Sequence, residues 1–131
     1  MRRSIEECRL IDLPKFSDPR GSLSFVQKGE HLPFDIQRVY YLYDAPDDVS
    51  RGLHAHKELE QLIIAISGSF TITINDGNAK KKIRLTRPDQ GLYMCPRIWR
   101  ELTEFSSDAV CLVLASHPYD PDDYIFDIEE L

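Results

Sequence analysis

The segment Phe70-Thr71-Ile72-Thr73-Ile74, followed by Asn75-Asp76-Gly77, limits what this chain can fold into. Apolar side chains at every second position, separated by β-branched threonines, suit a strand with one face buried. They do not suit an amphipathic helix, whose apolar positions recur every three or four residues. Asn-Asp-Gly supplies residues that tolerate the backbone angles of a hairpin turn, and Lys80 to Leu85 reads as the returning strand. Similar short β-rich runs occur at Gly21 to Val26, Arg38 to Tyr43, Leu62 to Ile66 and Val110 to Leu114. Pro33, Pro46, Gly52, Gly68, Gly77, Pro88, Gly91 and Pro96 punctuate them. No segment sustains a 3.6-residue apolar period. The expected fold class is all-β, a jelly-roll barrel of antiparallel strands, about eight to eleven in number.

At 131 residues the chain is expected to form one domain, 1–131, that buries roughly two thirds of its unfolded surface. Its 42% hydrophobic and 29% charged residues are those of an ordinary globular protein, not a disordered one. The net charge of −6 argues against a sequence-independent nucleic-acid binder, which needs clustered positive charge to displace counterions. Lys80, Lys81, Lys82, Arg84 and Arg87 are the exception, and they read as solvated surface. The acidic C-terminus carries Tyr124, Ile125, Phe126 and Ile128 among its carboxylates, so it is expected to dock as a strand or short helix. Cys8, Cys95 and Cys111 are odd in number and form no C-x-x-C pair, which suggests neither a disulfide framework nor a cysteine zinc site. The longest apolar run, Ala109 to Ala115, is too short to span a bilayer, and the N-terminus lacks the apolar stretch of a signal peptide. A reducing cytoplasm and no membrane attachment are the expectation.

The densest chemical signal is Arg51-Gly52-Leu53-His54-Ala55-His56-Lys57. In an extended chain the period of two places His54 and His56 on one face, with Ala55 and Lys57 on the other. Paired imidazoles serve as metal ligands or as an acid/base pair, because imidazole titrates near neutrality. A surface strand carrying two incidental histidines is the plainer reading. The pattern resembles the first metal-binding motif of cupin barrels, with Glu60 at a spacing that keeps strand parity with the histidines. The segment corresponding to the second cupin motif, Gly91 to Glu101, contains no histidine. His54, His56 and Glu60 are still a ligand set for iron or zinc, but Arg97 and Arg100 within that segment oppose a cation and suit an anionic ligand better.

Four strings together resemble the sugar 3,4-ketoisomerases of bacterial nucleotide-sugar pathways. They are Arg38-Val39-Tyr40-Tyr41-Leu42-Tyr43, the Arg51-to-Lys57 string, the Gly91-to-Arg100 segment, and Tyr119-Asp120-x-Asp122-Asp123-Tyr124-Ile125. The resemblance covers nearly all of the chain from about Phe16 to Leu131, and its most specific part is R-G-x-H-A-H-K. It implies a cupin fold, no metal or other cofactor, and action on dTDP-4-keto-6-deoxyglucose on the way to 3-amino-3,6-dideoxyhexoses. It also implies a homodimer with exchanged N-terminal strands. Gly21-Ser22-Leu23-Ser24-Phe25-Val26 alternates polar with apolar residues and lies early enough to swing onto a partner's sheet edge.

Moving a keto group from C4 to C3 requires removal of the C3 proton, an enediol, and return of a proton at C4. That chemistry needs a base, a second proton carrier at the oxygens, and no redox cofactor. The family's first motif histidine corresponds to His54, the candidate base. His56 and Tyr40 are candidate proton shuttles, Tyr40 alternatively being a core aromatic. Arg38, Arg51, Arg97 and Arg100 are candidates for the diphosphate, since guanidinium grips phosphate oxygens in a bidentate fork. Trp99 or Tyr93 is a candidate to stack on a base or sugar ring. Gln61 is a candidate to orient a hydroxyl or imidazole, provided that a bulge or turn separates it from Lys57. Competing readings are a nucleotide-sugar 3,5-epimerase, a non-enzymatic sugar-nucleotide-binding cupin, and a metal-dependent cupin oxygenase.

Overall fold

The computed structural model describes residues 2–131, which form two five-stranded antiparallel sheets and a separate hairpin. Strands β1 (Arg9–Asp12), β2 (Lys15–Asp18), β3 (Gly21–Ser24) and β4 (Arg38–Leu42) precede β5 (Arg51–His56), β6 (Gln61–Ser67), β7 (Phe70–Asn75) and β8 (Lys80–Leu85). They are followed by β9 (Gln90–Met94), β10 (Trp99–Thr103), β11 (Val110–Ala115) and the short β12 (Tyr124–Ile125). The first sheet runs β1-β9-β6-β11-β4, the second β12-β5-β10-β7-β8, and β2 pairs only with β3. Twelve strands exceed the expected number by one, the short β1 being among those with too little alternation to be read from sequence. The cupin-type jelly roll is nevertheless the observed class. Among the described residues no helix is long and apolar enough to cross a membrane.

Phe70, Ile72 and Ile74 of β7 are buried to 1% exposure or less, together with Leu85, Leu92, Met94 and Ile98. Full burial of each such side chain contributes about 1.5–3 kcal/mol, so this alternation drives the closure of the two sheets. The β7–β8 turn is fixed by the buried Asp76, whose carboxylate accepts from the amides of Asn78 and Ala79 at 2.8 Å each and from Ile5 at 2.9 Å. These donors hold its pKa below the ordinary carboxylate value. The lysines of β8 lie on an exposed edge strand, where charge discourages edge-to-edge pairing.

The stretch between β5 and β6 is what sets up the site. β5 ends at His56 and a bend at Lys57 and Glu58 carries the chain into the opposite sheet, where β6 begins at Gln61. Gln61 therefore reaches the barrel interior from the sheet facing His54, which is the break in alternation that its expected role required. The acidic tail docks as anticipated: Tyr124 pairs with His56 and Ile125 with Ala55 across β12 and β5. Ala55, Ile125 and Leu131 form a small second core against which Trp99 packs.

Candidate active site

β5 does not run straight. Between β5 and β10, Arg100 pairs with His54 and Glu101 with Gly52, so Leu53 is an extra residue bulged outward and 48% exposed. Gly52 and Leu53 both adopt left-handed backbone, at φ +93° and +45°. Gly52 is needed twice over, because a Cβ there would also lie 3.1 Å from the Arg100 carbonyl oxygen. The bulge turns the His54 ring back on its own strand, where Nδ1–H donates to the Gly52 carbonyl at 2.5 Å. A carbonyl only accepts, so the proton sits on Nδ1 and the lone pair of Nε2 is left for chemistry.

His56 lies beside it, ring centroids 4.8 Å apart and edge to face. Its Nδ1–H donates to Asp123 Oδ2 at 3.2 Å, while Asp123 Oδ1 accepts from the Glu58 amide at 2.8 Å. Tyr124 packs against both imidazoles, at 4.9 Å from His54 and 4.5 Å from His56, and stacks in turn on Phe126. Burial, reinforced by the Arg100 guanidinium, pushes the His54 pKa down to about 4 and that of His56 lower still. Both rings are neutral at physiological pH, the state in which an imidazole accepts a proton.

Arg38, Tyr40, Arg51, His54 and Arg100 come together around a cavity of about 260 Å³ that Ile63, Leu102, Val113 and Tyr124 also line. Arg38 and Tyr124 also border a neighbouring lobe of about 130 Å³ lined by His56, His117, Asp120 and Asp123. Arg38 lies over the rings of Tyr40 and Tyr119, at 5.2 and 5.8 Å, and its buried Nε finds no acceptor among the described residues. Gln61, 1% exposed, lies behind the cavity wall: its amide nitrogen donates to Tyr40 Oη at 2.8 Å and its carbonyl accepts from Arg100.

Three candidates are placed elsewhere. Tyr93 pairs with Leu62 on the outer face of its sheet and donates to Glu60 at 2.5 Å. Its burial and that carboxylate drive its pKa upward. Arg97, at φ +61°, sits in the β9–β10 turn, where its amide donates to the His56 carbonyl at 2.7 Å. Trp99 is adjacent to Arg100 on β10, so alternation sends it to the opposite face and into the tail cluster. Glu60 is likewise turned from the histidines toward Tyr93, and no three His, Cys, Asp or Glu side chains cluster among the described residues. Asp123 and Tyr124 had no role assigned from sequence. Their only sequence signal is membership of the acidic-aromatic Tyr119-to-Ile125 string, and their contact with His56 depends on the tail's register.

Residues 6–131 match the family described as WxcM-like, C-terminal. The chain belongs to this family of cupin-fold sugar 3,4-ketoisomerases. It is 44% identical over 119 residues to the TDP-4-oxo-6-deoxy-alpha-D-glucose-3,4-oxoisomerase of Aneurinibacillus thermoaerophilus, covering 91% of this chain and 86% of that one. Among solved structures, the WlaRB TDP-quinovose 3,4-ketoisomerase of Campylobacter jejuni is 46% identical with a TM-score of 0.92, covering 96% of this chain and 97% of that one. QdtA of Thermoanaerobacterium thermosaccharolyticum, solved with TDP, is 38% identical with a TM-score of 0.93, covering 97% and 96%.

Proposed function

We propose that this ketoisomerase acts on a dTDP-4-keto-6-deoxyhexose and moves its keto group from C4 to C3 without a metal, supplying 3-amino-3,6-dideoxyhexose biosynthesis. The observation that carries the reading is that His54, with its free Nε2, and Tyr40, a phenol, line one cavity in a chain of this family. His54 Nε2 takes the C3 proton as the C3=C4 double bond forms, and Tyr40 gives its proton to the C4 oxygen, leaving an enediol. Tyr40 then recovers a proton from the C3 hydroxyl as that oxygen becomes the ketone, and the protonated imidazole pair returns a proton to C4. Burial raises the Tyr40 pKa, which keeps the phenol protonated at the start of the cycle. Arg38 is the first choice for the diphosphate, because it borders both lobes and an anion would satisfy its orphaned Nε. Arg51 at the cavity rim is the second.

The deciding experiment incubates the protein with dTDP-4-keto-6-deoxyglucose in deuterium oxide and follows the sugar by NMR. Deuterium entering at C4 with a 3-keto product, trapped by a 3-aminotransferase, is expected. Exchange at C3 and C5 with inverted centres would instead indicate an epimerase.

The reading extends to assembly and setting. A groove of about 450 Å³ lies between the β2–β3 hairpin and the outer face of the first sheet, lined by Leu13, Phe25, Ile36, Ile64 and Leu114 among others. Around it Phe16, Leu23, Val39, Tyr41 and Tyr43 are more than half exposed. An apolar face of this kind favours a homodimer that buries it, with the N-terminal strands exchanged. The cysteines are unpaired, and even Cys8 and Cys95, with sulfurs 4.0 Å apart, are well beyond disulfide length. Free thiols favour the reducing cytoplasm.

A further inference from the structure

The buried contact between Arg100, Gln61 and Tyr40 has a fixed hydrogen-bond polarity. Arg100 is fully buried, and a guanidinium has donors but no acceptor. The end of the Gln61 amide that meets Arg100 must therefore be its carbonyl. The other end, facing Tyr40, must be the NH2 group, which places a donor 2.8 Å from the phenolic oxygen. Tyr40 Oη accepts that bond, so its own proton has to point elsewhere, and the open direction is the cavity that Tyr40 lines with His54. We propose that Gln61 is a positioning residue that, oriented by Arg100, directs the Tyr40 proton at the substrate and stabilises the phenolate left when that proton has moved.

The proposal rests on the isomerase reading and deepens it, since it explains how a buried phenol is aimed at the substrate and helped to give up its proton, beside whatever the Arg38 and Arg100 charges contribute. While Tyr40 is neutral, the Gln61 N–H makes an ordinary hydrogen bond. Once Tyr40 is a phenolate, the same bond becomes charge-assisted and roughly twice as strong. Gln61 therefore stabilises the product of the proton transfer more than its reactant, which is the requirement for accelerating the step. It carries no ionisable proton and takes none in the cycle.

Gln61→Glu keeps the side chain's size and its acceptor for Arg100, but offers Tyr40 an acceptor in place of a donor, so the phenol turns its proton inward. The expected result is a kcat lowered about 100-fold, as for loss of a general acid. The Kd for dTDP is expected to stay within about threefold, a split between turnover and binding that a merely structural defect would not give. In a Tyr40→Phe background the same change is expected to alter kcat less than about twofold, because the residue acts through the missing hydroxyl. Undiminished kcat in Gln61→Glu, or an equal loss in both backgrounds, overturns the proposal. Neutron diffraction from deuterium-exchanged crystals of the unaltered protein reads the same point without turnover and without a variant. A Tyr40 deuteron directed into the cavity supports the proposal; one lying between Oη and Gln61 overturns it. If the unaltered protein shows the cavity-directed deuteron yet fails to isomerise the 4-keto sugar, the functional reading falls and the polarity of the Gln61 contact stands.

Discussion

At the residue scale the site is organised by which nitrogen of each imidazole carries its proton. The Gly52 carbonyl and the Asp123 carboxylate both claim Nδ1–H, so both Nε2 atoms are left as acceptors. Replacing His54 with Asn is expected to lower kcat at least about 100-fold while dTDP binding and the thermal midpoint stay near those of the unaltered protein. Near-normal turnover would remove His54 from the role of base. The pH dependence has a definite sign. An unfolded chain protonates its histidines as the pH falls through about 6.5, whereas folded His54 resists protonation until about 4. The unfolded state therefore binds more protons across that window, and stability is expected to fall as the pH drops from about 6.5 toward 4, with no contribution from this group above it. Activity follows the same number: kcat/KM measured at pH 6 should match that at pH 7. A base at the ordinary pKa of about 6.5 would lose about two-thirds of its pH 7 activity there.

At the scale of elements, the site depends on two irregularities in otherwise regular strands. The first is the Gly52–Leu53 bulge of β5, which aims His54 inward. Gly52→Ala combines positive φ with a close approach to the Arg100 carbonyl. It is expected to cost about 1–3 kcal/mol, read as a lower thermal unfolding midpoint, and to impair turnover because it shifts the strand carrying the base. A variant with unchanged midpoint and rate would show that the bulge tolerates a Cβ. The second is the tail, whose β12 lies along β5 and delivers Asp123 to His56 and Tyr124 across both rings. Asp123→Ala removes the group that orients His56 and accepts from the Glu58 amide. A fall in kcat of about tenfold or more, with dTDP affinity retained, is the expected outcome. An unaffected kcat would confine Asp123 to holding the loop.

For the whole molecule, the question is what covers the outer face of the first sheet. Tyr41 and Tyr43 are 60% and 62% exposed, and Phe16 of the hairpin is 62% exposed. Exposed aromatics of this kind beside the apolar groove favour burial against a partner. Light scattering at low micromolar concentration is expected to give the mass of a dimer. Deleting residues up to Val26 should convert it to a monomer, and a truncated chain that stayed a stable dimer would refute strand exchange. Activity is also expected to survive exhaustive chelation, because the arginines at the cavity repel a cation and Glu60 is turned toward Tyr93. Activity lost to EDTA and restored by one defined metal would overturn that expectation.

The sequence by itself determined the all-β class and the β7–β8 hairpin, because strand alternation and turn chemistry are local properties of neighbouring residues. The family and the shared face of His54 and His56 were also legible, since R-G-x-H-A-H-K stands in one stretch of chain. Only the tertiary structure decided which arginines and aromatics face the cavity. Arg100 and Trp99 are adjacent on one strand, so one must turn away, and the register with β5 and β7 selects Arg100. Gln61 met Tyr40 and Arg100 because a bend moved it into the facing sheet, a contact between residues 21 and 39 positions apart. Asp123 and Tyr124 reached the histidines 67 or more positions away only through the pairing of β12 with β5. Such placements depend on loop closure and sheet packing, which act between distant segments and leave no periodicity in the chain to read.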